Sequence, residues 1–350
     1  MKLNINGETI DRPAIWWENN SVMMIDQTKI PFKVEIYRSS NYRETIDAIK
    51  EMIIRGAPSI GAAGAYGITQ AVHEFWQEKN FVELLDEAYF SLLSSRPTAV
   101  DLKNGLDFVR NSPNLNPKFA LERANYFANK IADEGLKIGL VGKELIKEGM
   151  NILTHCHTGA LALVDHGSAL SPLIQAWEAG VRFHVYVDET RPRLQGRITS
   201  WELNQNAIKH TVICDSTSGF LMARGEIDLI ILGADRVTRN GDIANKIGTY
   251  NLAVLAQYHD IPFYTAFPNS TFDPSTLSGK EIQIEERNSV EIRKISGYLE
   301  KFNINDELSL YLDNTKFKNP AFDVTPAHLI TGYITPYGIY SAAQLVEMLA

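Results

Sequence analysis

Beyond residue 150 the chain alternates two patterns that together leave few folds open. Short, apolar, branched runs (NILTHC, VRFHVYVDE, HTVICDS, IDLIILGAD and IPFYTAF) are separated by SALSPLIQAWEAG, ITSWELNQNA, GFLMARGE and NKIGTYNLAVLAQYHD, each helical in period. Strands that are apolar at every position are buried on both faces. Strand–helix alternation supplies the helices that cover them, so the pattern predicts a parallel sheet. The expectation is a Rossmann-like catalytic domain over residues 131–350.

The earlier residues read differently. SVMMIDQ and FKVEIY look like short strands separated by a Lys-Ile-Pro turn. NYRETIDAIKEMII then places Ile46, Ile49, Ile53 and Ile54 at helical spacing, with Asn41 as N-cap and Glu44 three residues on. Helical patterns continue through TQAVHEFWQE, FVELLDEAYFSLL and a long stretch from about Pro117 to Glu134. Residues 1–130 are therefore expected to form a mainly helical domain carrying a small antiparallel sheet, with the boundary in the 115–140 stretch.

Composition excludes several functional classes. The chain carries 34 Lys and Arg against 42 Asp and Glu, a formal charge of -8, which argues against nucleic acid as the main partner. No window approaches the ~18 consecutive apolar residues of a membrane span. The opening MKLNINGETIDRP lacks a signal-peptide pattern, so a cytoplasmic protein is expected. Two cysteines, Cys156 and Cys214, imply no disulfide framework.

In parallel sheets, ligands bind at the carboxyl ends of the strands. That rule selects Cys156, Asp188-Glu189, Cys214-Asp215 and Gly233-Ala234-Asp235. Cys156 sits in THCHTGA, where His155 and His157 share one face of a strand. Zinc needs three or four ligands at recognisable spacings, and neither HExxH nor CxxC occurs, so no metal is expected. A free cysteine is most often a small buried hydrophobe. A strand end beside two histidines and a helix start favours a functional thiol instead.

Four other stretches carry chemistry. RGAPSIGAAGAYG (55–67) opens a helix with small residues behind Arg55, letting backbone approach an anion, although tight helix packing explains such a texture equally well. SRPTAVDL (95–102) puts Arg96 at a helix mouth. DETRPRLQGRITSWEL (188–203) gathers Arg191, Arg193, Gln195 and Arg197 at a sheet's carboxyl end, where arginines meet phosphate or carboxylate. In LGADRVTRNGDIANKIGTYNLAVLA (232–256), Asp235 ends a very apolar run. A carboxyl there is expected to be partly desolvated and suited to acid–base work, the alternative being a turn cap. Asn245 and Lys246 are expected to open the next helix, where an amide and a cation hold an anionic sugar. No cofactor fingerprint is present, and the set suits proton or hydride rearrangement on a phosphorylated small molecule.

RGAPSIGAAGAYG, RPTAVDL, ILTHCHTGALA, VDETRPRLQGRITSWEL, GADRVTRNGDIANKIGTYNLAVLA and NPAFDVTPAHLITGYITPYG resemble the 5-methylthioribose-1-phosphate isomerases. Those enzymes share a wider family with regulatory subunits of the guanine-nucleotide exchange factor of translation initiation. The resemblance implies catalytic roles for Cys156 and Asp235. It implies substrate contacts from Arg55, Gly56, Ala57, Arg96, Gln195, Asn245 and Lys246. It further implies a cytoplasmic homodimer without cofactor, acting on a phosphorylated sugar in methionine salvage. One departure stands out: the family's usual Asn-Ala-Gly after the cysteine is His157-Thr158-Gly159 here. That keeps open a related sugar-1-phosphate isomerase acting on 5-deoxyribose 1-phosphate or ribose 1,5-bisphosphate. A non-catalytic exchange-factor-like subunit is the third reading.

Overall fold

A computed structural model describes residues 1–5, 8–96, 100–302 and 304–349 of the chain. They divide into two compact units, Met1–Leu140 with Thr158–Gln175, and Val141–His157 with Ala176–Ala350.

In the first unit a hairpin of β1 (Lys2–Ile5) and β2 (Glu8–Asp11) precedes an antiparallel sheet of β3 (Ile15–Glu18), β4 (Ser21–Ile25) and β5 (Ile36–Ser39). The FKVEIY strand lies later than its sequence pattern indicates. Pairing of Val22 with Ser39 and Ile25 with Ile36 sets its extent, leaving Phe32 in the preceding turn. Helix α1 (Tyr42–Lys50) starts as expected: the Asn41 side chain accepts from the Arg43 and Glu44 N–H groups, and Glu44 accepts from Ser40 N at 2.7 Å.

Helix α2 (Ala57–Phe75) is buried along nearly its whole length, among α3 (Phe81–Ser95), α4 (Val100–Arg110) and α5 (Pro117–Gly142). Its small residues let α4 come close. A Cβ on Gly105 would lie 2.0 Å from the Gly61 carbonyl oxygen. Packing therefore accounts for much of the glycine–alanine texture. Nothing interrupts α5 before Gly142, so the expected division at 130 falls inside that helix.

The second unit is built on β6 (Asn151–Thr154), β7 (His184–Asp188), β8 (His210–Ile213) and β9 (Leu229–Gly233). After β10 (Arg236–Thr238) and β11 (Ile243–Lys246) come β12 (Phe263–Ala266), β13 (Phe272–Asp273) and a ribbon of β14 (Lys294–Leu299) and β15 (Ile304–Ser309). Strands β16 (Phe322–Thr325), β17 (Gly332–Thr335) and β18 (Gly338–Tyr340) complete it. The helices are α6 (Leu170–Glu178), which straddles the two units, then α7 (Gly196–Gln205), α8 (Thr217–Ala223), α9 (Thr249–Tyr258), α10 (Val290–Arg293) and α11 (Ala342–Leu349).

The main sheet has the order β18-β17-β12-β9-β6-β7-β8, parallel except for β18. From β6 the chain adds β7 and β8 on one side, then crosses to place β9 on the other. The strand order therefore reverses between β6 and β9, the position at which open α/β sheets form a ligand crevice. Every residue of β9 is buried, as its apolar run requires. A smaller sheet, β13-β10-β11-β16, carries the residues that follow Asp235.

Candidate active site

Cys156 leaves β6 with a left-handed backbone, φ 65°. Its N–H donates to Thr190 Oγ1 at 2.9 Å, and its carbonyl accepts from Thr199 Oγ1 at 2.7 Å. The helix expected directly after it is only a three-residue turn, Ala160–Ala162, and α6 begins at Leu170.

The flanking histidines turn to different carboxylates. His155 is fully buried, with Nδ1 2.8 Å from Asp188 Oδ2 and Nε2 3.0 Å from the Ile247 carbonyl oxygen. A carbonyl only accepts, so Nε2 carries a hydrogen. Burial opposes charge on the imidazole, but the hydrogen bond and charge of Asp188 outweigh it and raise its pKa. Burial also pushes the Asp188 carboxyl up, only partly offset by His155 and Ser218. His157 instead places Nε2 2.8 Å from Glu202 Oε1, and both side chains are buried.

The structure adds one grouping that spacing could not show. His155, Asp188 and Asp215 bring potential ligand atoms within 4.8 Å of one another. Those atoms are already engaged. Ser218 Oγ donates to Asp188 Oδ1, while Asp215 accepts from Thr190 N at 2.7 Å and Arg191 N at 2.8 Å. The cluster reads as a hydrogen-bonding hub that fixes the loops after β6, β7 and β8. Exhaustive chelation is accordingly expected to leave turnover unchanged, measured before and after zinc is added back. Zinc-restored loss of activity would reinstate a metal.

Asp235 follows β9 and donates its N–H to the Ala244 carbonyl at 2.9 Å. Its side chain is exposed, not desolvated as the apolar run suggested, because the buried strand ends at Gly233 and Asp235 lies in the bend before β10. Asn245 and Lys246 also differ from expectation. They lie on β11, opposite Asp323 and Phe322 of β16, and the helix begins only at Thr249. Asp323 occupies that helix start, accepting from Gly248 N at 2.7 Å and Tyr250 N at 3.1 Å. The intervening Gly248 has φ 108°, and a Cβ there would lie 2.9 Å from His155 Cε1. Glycine is required on both counts.

Lys246 is buried; its Nζ donates to the Ala321 carbonyl at 2.8 Å and lies 4.2 Å from the Phe322 ring centroid. Burial lowers its pKa, partly opposed by the charges of Cys156 and Asp235 and reinforced by Arg287. Cys156 and Asp235 are thus each near enough to Lys246 for their charges to act on it. Asn245 Nδ2 donates to Thr249 Oγ1 at 2.9 Å. Gln195 precedes α7, the helix carrying Thr199, and its buried Oε1 has no hydrogen-bond partner among the described residues.

Arg55, Gly56, Ala57 and Arg96 belong to the first unit. Gly56 is the N-cap of α2 with φ 92°, Ala57 begins that helix, and Arg96 ends α3. Pro97, Thr98 and Ala99 of the RPTAVDL motif lie outside the described residues. Sequence reasoning assigned no role to Thr190, Thr199, Arg287, Phe322 or Asp323. The last two lie in the quoted motif NPAFDVTP, and only the strand pairing shows that it cradles Lys246.

Residues 53–342 match the family described as the initiation factor 2 subunit family. The chain belongs to that family. Among its relatives, the methylthioribose-1-phosphate isomerase of Caldicellulosiruptor saccharolyticus is 46% identical over 332 residues, covering 92% of this chain and 94% of that protein. The enzyme of the same name from Carboxydothermus hydrogenoformans is 45% identical, covering 93% and 95%. A crystal structure of 5-methylthioribose 1-phosphate isomerase from Pyrococcus horikoshii is 34% identical, with TM-score 0.84 and 97% of each chain covered. A crystal structure named translation initiation factor eIF-2B, subunit delta, from A. fulgidus is also similar to this chain. It is 39% identical, with TM-score 0.83 and coverage of 95% and 96%.

Proposed function

We propose that this chain is an aldose–ketose isomerase that converts 5-methylthioribose 1-phosphate to 5-methylthioribulose 1-phosphate in methionine salvage. The observation that carries the site reading is the placement of Cys156 and Asp235 after β6 and β9, the two strands that flank the sheet's switch point, with Lys246 in electrostatic reach of both. The isomerase relatives, 46% and 45% identical over more than nine-tenths of the chain, support the same activity.

The substrate's C1 oxygen is esterified, so opening the ring cannot simply release an aldehyde. The C1–ring oxygen bond must break with a proton delivered to that oxygen. The hydrogen on C2 must move to C1 as the C2 hydroxyl becomes a carbonyl. Either a base takes the C2 proton and an enol phosphate is reprotonated at C1, or an oxocarbenium-like C1 accepts hydride from C2. Both routes need an acid at the ring oxygen and a base near C2. Asp235 is assigned the acid–base role, and Cys156 proton transfer or stabilisation of the developing charge. Lys246, Asn245 and Gln195 are assigned to the anionic sugar, and the substrate contacts implied by the family motifs also include Arg55, Gly56, Ala57 and Arg96. A coupled assay for the ketose product, run with methylthioribose 1-phosphate, tests the activity directly.

The name of the A. fulgidus structure favours a second reading, an exchange-factor subunit. Presence of both Cys156 and Asp235 argues for the enzyme, because a scaffold has no need of the pair. The protein is further proposed to act as a cytoplasmic homodimer without cofactor. No helix among the described residues is long and apolar enough to cross a membrane. Sedimentation of the native protein checks the dimer.

Lys246 gives this reading a pH signature. Its cation is what holds phosphate, and burial makes that cation easier to lose than in an exposed lysine. KM should therefore rise on the alkaline side at a pH below the ordinary lysine range. Lys246→Arg should move that rise upward, because guanidinium keeps its charge. An alkaline limb unmoved by the substitution assigns it to another group.

A further inference from the structure

Two residues at the carboxyl end of the main sheet adopt left-handed backbone without being glycine, and they are bonded to each other. Cys156 has φ 65° and Thr190 has φ 62°. A β-branched residue at positive φ is a conformational outlier, and such conformations persist only where the surroundings over-determine them. Here the determinants are explicit. Thr190 Oγ1 accepts from Cys156 N at 2.9 Å and donates to the Asp188 carbonyl at 3.1 Å, so the hydroxyl is used in both directions. Asp215 accepts from the N–H groups of Thr190 and Arg191. On the other side of the cysteine, Thr199 Oγ1 donates to its carbonyl at 2.7 Å. Both threonines are wholly buried.

The peptide groups on either side of the Cys156 Cα are thereby pinned by two hydroxyls, one from the loop after β7 and one from helix α7. With both peptides fixed, the Cα–Cβ direction is fixed, and with it the place to which Sγ is delivered. Extended or right-handed backbone at this residue would send the thiol elsewhere. We propose that Thr190 and Thr199 are positioning residues that aim the Cys156 thiol, with Asp215 holding Thr190 in its left-handed conformation. The inference rests on Cys156 being the reactive thiol of the proposed isomerase. It assigns the threonines no contact with substrate.

Hydroxyl chemistry makes the test selective. Valine keeps the shape of threonine but neither donates nor accepts, whereas serine does both. Because Cys214 is exposed, the variants are made with Cys214→Ser so that alkylation reports Cys156 alone. Thr199→Val and Thr190→Val should each lower kcat by ~10-fold to 10²-fold with KM within about twofold, the scale set by misplacing a reacting group. Each should also change the rate at which iodoacetamide alkylates Cys156. Thr199→Ser and Thr190→Ser should restore both readouts. Should Thr190→Val fail to fold, Thr199→Val and Asp215→Asn carry the test. Valine variants with native kcat and native alkylation overturn the proposal. So does a loss of kcat with unchanged alkylation, or one that serine does not repair. Failure of the function reading looks different. Cys156→Ser would then retain turnover, while the valine variants would still alter alkylation, upholding the aim of the thiol and removing its catalytic use.

Discussion

Cys156→Ser and Asp235→Asn should each lower turnover by ~10² or more, the usual scale for removing an acid–base group. Neither change alters side-chain volume much, and neither residue belongs to the buried core of its unit. Thermal unfolding of both variants should therefore match the parent, which separates lost chemistry from lost fold. The two defects should differ in kind. A serine hydroxyl at the position of Sγ is a far weaker acid, so proton transfer suffers while substrate still binds and KM holds. Asparagine at 235 keeps hydrogen-bonding capacity but cannot take up and return a proton. It also removes a negative charge that favours the protonated form of Lys246. Asp235→Asn should consequently shift the alkaline rise in KM to lower pH, and Cys156→Ser should shift it in the same direction. Near-native turnover of Cys156→Ser on methylthioribose 1-phosphate would make the thiol structural and dissolve the site reading.

The second unit was legible in the sequence because buried parallel strands write themselves as unbroken apolar runs. IDLIIL became β9, buried at every position. From strand order alone the carboxyl-end rule then reached Cys156, Asp188 and Asp235. The fate of the segment after Cys156 was not legible. Residues 158–175 group with the first unit through isolated long-range bonds, such as Gln27 Nε2 to the Leu161 carbonyl at 2.9 Å and Ala14 N to the Val164 carbonyl at 2.7 Å. A contact between residues 134 positions apart leaves no periodicity to read. The same holds for the threonines that grip Cys156, which reach it across 34 and 43 residues. Asn245 and Lys246 failed for a local reason. The apolar spacing that looked helical from Asn245 onward belongs to a strand and a following helix, separated by the left-handed Gly248.

Methylthioribose 1-phosphate should exceed ribose 1,5-bisphosphate in kcat/KM by ~10² or more, because a subsite built for a thioether rejects an unpaired charge. The challenge to this came from His157, which stands where the isomerases usually have asparagine and whose imidazolium would suit a second phosphate. The structure gives that imidazole a different occupation. Its Nε2 lies 2.8 Å from Glu202 Oε1, with both side chains buried. That nitrogen, committed to Glu202, is not available to a phosphate oxygen. Capturing the imidazole for a phosphate would cost the buried Glu202 side chain this hydrogen bond. His157→Asn should therefore leave the preference for the methylthio substrate within a few-fold of native. Glu202→Gln should be the more revealing change, since it releases the imidazole from its carboxylate and should raise activity on the bisphosphate relative to the parent. The measurement is kcat/KM for both substrates with the native protein and the two variants. A native enzyme that prefers the bisphosphate, and loses that preference on His157→Asn, would move the chain to the other branch of sugar-1-phosphate isomerases.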